Sequence, residues 1–481
     1  MTRPRLWKVL VPAAVVVAVA GTAAALLVTG RHEVTTTSEE AYEVYLRGRE
    51  NERRMYHREA MADYGEALAH DPEFLMATVR LARSVAGKDP ERAKMLLSCV
   101  GSRRDAVTAR EQLLYDIAYA ALTEKEPNKA QELVDRYRRE YPDDPEGYEM
   151  RANYLLRQGK ADEAIREYEL LLERNPNYAV AYNQLGYYSM ERKEWARAED
   201  YLKRYRFLAP DQANPYDSLG ELYANTGRYE EAEASLRKAL EVKPDFWASL
   251  GHLGTVHAAR GQWREAAGFY ARTAEQAVDK DAQGFVLAEA ASLALAGEWP
   301  AAEAKFDAMR AELEPEAVPS PERKVNGFAR RVEAIRAVSL IWLKRLDEAE
   351  DPVRRVLEME AAAPALKKDG RSTGELVAAL RDAARGRPGD LSRLVAEGHL
   401  PPVGASAGGG WDYFPYRPVV WVLSAQLLAE NGRVGEAADV VKGVLAVNPR
   451  FAPAVETLAA VKGEGKAAAL GAPGSSPHGG R

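Results

Sequence analysis

The sequence predicts an all-α protein: a superhelical solenoid of helix–turn–helix units, preceded by one N-terminal transmembrane helix. Three observations carry that expectation. A skeleton of alanine and proline recurs at a spacing of 34 residues. Ala130, Ala164, Ala198, Ala232 and Ala266 fill one slot, and Pro142, Pro176, Pro210 and Pro244 another, with Val278 in its fifth place. A period of that length marks paired helices stacked in a line. An uncharged run from Val9 to Thr29 follows Arg3, Arg5 and Lys8. No alternating apolar stretch of useful strand length interrupts the pattern.

The N-terminus comes first in the chain. With Leu6 and Trp7 the apolar run reaches about 23 apolar or small residues, which at ~1.5 Å per residue spans a ~30 Å hydrocarbon core. Its basic flank is the kind that stays cytoplasmic. The expectation is a single-pass protein of the cell membrane, with its repeats extracytoplasmic. Ala18-Val19-Ala20 also fits a small-x-small cleavage site, which would release a secreted or periplasmic protein. Continuation of the run through Leu26, Leu27 and Val28 favours the anchor. Residues 1–29 are thus the expected anchor. Residues 30–38, ending in Val34-Thr35-Thr36-Thr37-Ser38, are the expected polar spacer.

An array is expected over 39–313, strongest over 111–280. Residues 41–74 carry Gly48, Ala60, Tyr64, Ala67 and Pro72 at the repeat offsets, and 75–110 form a weaker unit with Ala93. In 145–178, Tyr148, Ala152 and Leu155 share one helical stripe. Gly159 breaks the helix. Ala164, Tyr168, Leu171 and Leu172 share a second stripe, and Pro176 follows its end, where a missing N–H costs least. Ala118, Ala152, Gly186, Gly220 and Gly254 are small where two backbones must approach. Trp195, Tyr229 and Trp263 share a slot, and Gly227 and Gly261 mark turns. Residues 283–313 retain Gly297, Trp299, Ala302 and Phe306.

Beyond the array the pattern weakens and then returns. Residues 314–360 read as degenerate, with a Pro-rich loop at 314–322, Ser320 as N-cap before Pro321, and only Leu346 and Ala349 of the repeat. Residues 361–417 read as an insertion. In it Ser372 and Glu375 form a capping-box pattern before a short helix ending near Gly386. A Gly/Pro-rich stretch then carries Trp411, Tyr413, Phe414 and Tyr416, either tucked against adjacent repeats or serving as a mobile binding loop. Residues 418–462 restore the repeat through Trp421, Ala425, Gly432, Ala437 and Pro449, with a capping helix at about 452–462, as a solenoid end requires. The tail at 463–481 has a disordered composition.

Residues 213–246 supply Tyr216, Leu219, Gly220, Tyr223, Ala232, Leu236, Ala239 and Pro244. On these the chain resembles the tetratricopeptide repeat family. The resemblance implies that the first helix of each pair lines a concave groove. Its inward slots here include Tyr115, Asp116 and Tyr119; Glu149, Asn153 and Arg157; Asn183, Gln184 and Tyr187; and Asp217, Glu221 and Asn225. From these, Tyr115, Tyr119, Asn153, Asn183, Gln184, Tyr187, Asp217, Glu221 and Asn225 are the expected protein-binding residues. Asn and Gln can satisfy a peptide backbone, and Tyr offers rigid contact area. The family's chaperone-carboxylate clamp is not expected: Asn153 keeps its asparagine, but Glu149, Asn214 and Ser218 stand where it needs cations. Residues 40–50 and 108–122 also resemble the extracytoplasmic repeat regions of bacterial receptor-type serine/threonine kinases. With about eight residues before the apolar run, no kinase domain is expected, and signalling would pass through a partner.

Composition excludes several classes. Net charge is −6 with no basic tract, so no nucleic acid is expected. The single cysteine, Cys99, permits neither a disulfide nor a zinc cluster and reads as a small buried hydrophobe. His252 and His257 point to different sides of one helix, and His257 takes a core aromatic slot. Asp143-Asp144 and Glu230-Glu231 read as helix-start charges. No catalytic motif, metal or cofactor is expected, and no constellation supports an enzyme site in 361–417. Abundant Ala, Arg and Gly hint at a GC-rich bacterial coding sequence. Two functions remain: a membrane-anchored scaffold that binds a protein or peptide partner in its groove, and an extracytoplasmic sensor acting through a partner.

Overall fold

The computed structural model describes residues 33–277, 280–317, 327–367, 372–401 and 416–463. The expected anchor, the Ser320 cap, Val278, the aromatic residues Trp411, Tyr413 and Phe414, and the tail beyond Gly463 lie outside them. Among the described residues every regular element is helical, and no helix is long and apolar enough to cross a membrane. The chain divides into two compact units, 1–185 and 186–481.

The first unit contains α1 (Glu39–Arg53), α2 (His57–His70), α3 (Leu75–Val85), α4 (Pro90–Val100), α5 (Ala109–Tyr119), α6 (Pro127–Glu140), α7 (Pro145–Arg157) and α8 (Ala161–Arg174), and ends inside α9 (Ala179–Glu191). Side-chain caps start several of them. Ser38 accepts from Ala41 N, Asp89 from Arg92 N and Asp144 from Glu146 N, and Thr108 and Glu111 form a full capping box. Tyr45, Tyr64, Phe74, Leu97 and Tyr137 are core residues, with the Tyr45 and Phe74 rings 4.9 Å apart.

The expected spacer is not free chain. Val34 is buried. Thr35 donates its N–H and hydroxyl to the two oxygens of Glu111 at 2.7 and 2.8 Å, and the Thr36 hydroxyl reaches Asp71 at 2.6 Å. Glu111 is wholly buried and also accepts from Thr108 N and Oγ1 at 3.0 and 2.7 Å. Four donors on one buried carboxylate replace the water that burial removes. The boundary at 38 therefore moves: 34–38 belong to the first unit. Cys99, expected to be buried, is exposed on α4.

The second unit continues α9 and adds α10 (Trp195–Leu208), α11 (Asn214–Asn225), α12 (Tyr229–Val242), α13 (Trp247–Ala259), α14 (Trp263–Gln276), α15 (Lys280–Leu295), α16 (Trp299–Ala317), α17 (Gly327–Trp342), α18 (Glu350–Ala362), α19 (Thr373–Ala384), α20 (Gly389–Ala396), α21 (Tyr416–Glu430), α22 (Val434–Leu445) and α23 (Ala452–Lys462). Sequence neighbours pack on one another, and the first helices of successive pairs also meet: α11 with α13, α15 with α17, α17 with α19, α19 with α21. The small slots work as spacing predicts. A Cβ at Gly220 would lie 2.5 Å from Leu236 Cγ, so only glycine allows α11 and α12 this approach.

The turn between paired helices uses one left-handed residue at the same offset each time. Gly159, Gly227 and Gly261 take φ near +75°, and Lys125 and Lys193 take φ of 57° and 60° in the equivalent places. Lysine there is disfavoured by its Cβ.

The expected insertion is partly array. Helices α19 and α20 bury Leu376, Val377, Leu380, Leu391 and Leu394 in the same core as their neighbours. Ser372 caps α19, accepting from Glu375 N at 3.0 Å. Buried Glu360 accepts from the Ser372 hydroxyl, from Thr373 N and Gly374 N at 3.0 and 3.2 Å, and from Arg330 at 2.8 Å. The degenerate stretch is tied by charge: buried Glu333 takes both Arg310 nitrogens at 2.7 and 2.6 Å and Arg355 at 3.1 Å.

At its far end the second unit returns on itself. The turn between α22 and α23 lies against the turn between α11 and α12, with Tyr229 donating its hydroxyl to Asn448 Oδ1 at 2.8 Å. Arg450 makes a two-pronged pair with Glu230 at 2.7 and 3.0 Å.

Candidate partner-binding face

In the second unit, α11 and α13 are first helices of successive pairs, so turn-related residues on them face each other. Asp217 and Glu221 are one turn apart on α11; Ser249 and His252 stand three apart on α13. Asp217 Oδ1 accepts from the Ser249 hydroxyl at 2.7 Å and lies 3.0 Å from His252 Nδ1. The other imidazole nitrogen lies 3.7 Å from Glu221 Oε2. Glu221 Oε2 also accepts from the Tyr187 hydroxyl of α9 at 2.9 Å, and that hydroxyl is 3.4 Å from Ser218 Oγ.

The electrostatics follow from burial and mutual charge. Burial alone would push His252 down, but Asp217 and Glu221 outweigh it and raise the imidazole to about 9. It is therefore a cation at neutral pH and has no free lone pair for general-base chemistry. Burial raises the Glu221 carboxyl, against the pull of His252. Burial, Glu221 and Asp217 drive the Tyr187 phenol far above its ordinary range, so it remains a hydrogen-bond donor. Two acidic groups against one imidazolium leave the cluster acidic in balance, on side chains already held by one another.

The equivalent side of the first unit is occupied by its own ion pairs. Arg80 of α3 is buried and pairs with Glu146 at the start of α7, and lies 3.5 Å from Glu52 of α1. Arg83 reaches Glu146 at 2.6 Å, and the Tyr64 hydroxyl reaches Glu52 at 2.8 Å. Burial would raise the Glu146 carboxyl; Arg80, Arg83 and Arg49 hold it far below the usual range instead. Glu149, a turn further along α7, receives the Tyr178 hydroxyl at 2.9 Å. Burial, aided by Glu146, pushes it up to about 7.

The expected groove residues fall in both units. Tyr115 is buried in the first, its hydroxyl donating to Leu97 O at 3.0 Å and its ring stacked on half-buried Tyr119 at 5.6 Å, which gives it a packing role. Asp116 is held by Arg104 through two bonds of 2.7 Å. Asn153 and Arg157 are less buried positions of α7; on α9, Asn183 is buried and Gln184 half-buried. In the second unit Tyr187, Asp217 and Glu221 come together, and half-buried Asn225 ends α11. His252 and Ser249 were not among the expected residues. His252 occupies an inward slot of its repeat, the same slot as Gln184, so the periodicity could have found it. His257 packs as expected, stacked on Phe269 at 5.0 Å. Among the described residues no group of acidic, histidine or cysteine side chains is arranged to hold a metal ion.

Comparison with known proteins identifies the repeat. Residues 115–179, 149–213, 213–246 and 249–282 match tetratricopeptide repeat family models, so the chain carries these repeats across 115–282. A thermophilic repeat protein of Thermus thermophilus is 26% identical, over 38% of this chain and 99% of that one, with a TM-score of 0.33. PilF of Pseudomonas aeruginosa is 14% identical, over 44% and 93%, with a TM-score of 0.35. YrrB, described as a repeat protein with an unusual peptide-binding site, is 19% identical, over 38% and 93%, with a TM-score of 0.29. No curated protein matches the chain.

Proposed function

We propose that this chain is a membrane-anchored scaffold whose second unit captures an extended, neutral or basic segment of a protein partner on the face carried by α11 and α13. The observation that carries the reading is the joining of Tyr187, Asp217, Glu221 and His252 on the first helices of three successive pairs. Side chains fixed by mutual hydrogen bonds lose little entropy on binding. The acidic balance of the cluster favours cationic groups on the partner. Repeat arrays of this type present extended surfaces rather than enclosed catalytic pockets. The anchor rests on the basic flank and the length of the run at Val9–Thr29; mass spectrometry finding a mature N-terminus at Gly21 would replace it with a secreted protein.

The test is photo-crosslinking in intact membranes. A photoreactive residue replacing Asn225, at the end of α11, should give a discrete adduct. The same residue at Glu241, exposed on α12, should not. Equal labelling from both, or none from 225, refutes the face. A sensor acting through a partner is a second reading, favoured by one observation. The segment joining the array to anything upstream is bound into α5 through Thr35 and Glu111, so a displacement at the N-terminus reaches the first helices directly.

A further inference from the structure

We propose that the turn at 447–450 is a clasp that regulates the α11–α13 face, gripping the end of α11 and the start of α12, whose Glu230 is shared with the end of α13. The proposal rests on the reading of that face as the binding site.

Four contacts across about 220 residues of chain converge on one spot. Tyr229 donates to Asn448 Oδ1 at 2.8 Å, and Asn448 Nδ2 approaches Ala224 O, in the last turn of α11, at 3.5 Å. Arg450 pairs with Glu230 through both nitrogens and lies 5.5 Å from the centre of the Tyr229 ring. Gly227 makes the approach possible twice over. It takes φ of +76°, and a Cβ there would stand 3.0 Å from Asn448 Oδ1. Glu230 is shared: Arg260, the residue that closes α13, lies 3.5 Å from it and 2.7 Å from Glu233. The clasp therefore meets α11 at Ala224 and the following turn at Gly227 and Glu230, and it reaches the end of α13 only through Glu230, which Arg260 shares. Glu221 is less than two turns back from Gly227, about 9 Å along the axis. A shift of one helix end against the other alters the spacing between Asp217–Glu221 and Ser249–His252.

The contact is built to open. Arg450 and Glu230 are more than half exposed, and exposed pairs of this kind are weak and screened by salt. Hydrogen bonds from Arg450 lower Glu230 to about 2, so protons do not release it in the physiological range. Ionic strength, or a competitor for the Gly227–Glu230 turn, does.

The test uses the full chain with Cys99→Ser and spin labels on cysteines replacing Arg237 of α12 and Lys442 of α22, both exposed. The parent should give one narrow distance. Asn448→Ala with Arg450→Glu should lengthen and broaden it while leaving the helical circular dichroism unchanged, and Arg450→Lys should stay near the parent at low salt. Binding is read with a fluorescent, extended Lys-Ala peptide, whose Kd should change at least threefold when the clasp is broken. An unchanged distance in the double variant overturns the clasp. A changed distance with an unchanged Kd overturns its regulatory role. In that case weakening of the peptide by Glu221→Gln shows that the face reading itself stands. No peptide binding by the parent overturns that reading and the regulation with it, while the distances still decide the closure.

Discussion

Replacing Gly220 with alanine sets two effects of opposite sign against each other. Alanine in a helix interior is favoured over glycine by about 0.8–1 kcal/mol. At Gly220 the new methyl would stand 2.5 Å from Leu236 Cγ and 2.6 Å from its Cδ2, with Ala232 O at 3.4 Å. Leu236 is wholly buried and cannot swing into solvent, so α11 and α12 must part. Overpacking of this kind costs about 1–3 kcal/mol. The net expectation is a loss of about 1 kcal/mol. Gly268, exposed on α14, is the matched control: nothing lies within 4 Å of a Cβ there, so the same change should stabilise by about 0.5–1 kcal/mol. Repeat arrays do not unfold in one step, so the readout must be local. Hydrogen exchange on peptides covering 213–246 and 263–276 reports each site by itself. If Gly220→Ala protects its segment as well as Gly268→Ala protects its own, the close approach assigned to this slot is wrong.

Other expectations can be checked alongside. Lys193→Gly removes a left-handed lysine at φ 60° and should stabilise its region by about 0.5–1 kcal/mol, read as a higher urea midpoint; a lowered midpoint would mean that the lysine side chain contributes more than its strain costs. His252 is raised from 6.5 to about 9 on folding, so its stabilisation is full below pH 6.5 and fades as pH climbs toward 9, by at most about 3 kcal/mol. His252→Gln should flatten that slope, and an unchanged slope would remove the imidazolium from the cluster. Glu149 is raised from 4.5 to about 7, so folding is favoured below pH 4.5 and weakened as pH rises toward 7. Glu149→Gln should remove that contribution, seen as a thermal midpoint that falls less steeply with pH across this interval than in the parent.

The repeat was legible because each helical pair reuses the same local solutions. Gly220 and Gly254 sit at close approaches, Gly227 and Gly261 at left-handed turns, and Ala232 and Ala266 in the buried slot of each second helix. Lys125 and Lys193 hold the same backbone conformation without the residue that announces it, because neighbouring pairs impose the turn. Helix α19 was expected as a short helix of an insertion, but its pairing with α20 was not: α20 is only eight residues long, too short for a full apolar stripe, and its membership comes from burial of Leu391 and Leu394. At the candidate face, Tyr187, Asp217 and Glu221 were expected from the inward slots that the family resemblance implies. Their pairing with His252 depends on the offset between neighbouring helices, which no single repeat encodes. The meeting of Asn448 with Tyr229 has no local signature, since it is a property of how many pairs complete the unit. Cys99 faces solvent because its helix turns a different side inward than hydrophobicity alone suggested.

The bonding of Thr35 and Thr36 to Glu111 and Asp71 has a mechanical consequence. If residues 1–29 are embedded in a bilayer as proposed, residues 30–32 are all that separates them from Glu33, whose N–H donates to the Tyr42 hydroxyl at 3.3 Å. Three extended residues reach no more than about 11 Å. The first unit is then moored at the headgroups with almost no tether. Tension on that mooring would be borne by two buried carboxylates, Glu111 and Asp71. Glu111 binds the incoming strand and also caps α5, so a pull on Thr35 acts directly on the hydrogen-bonded start of that helix.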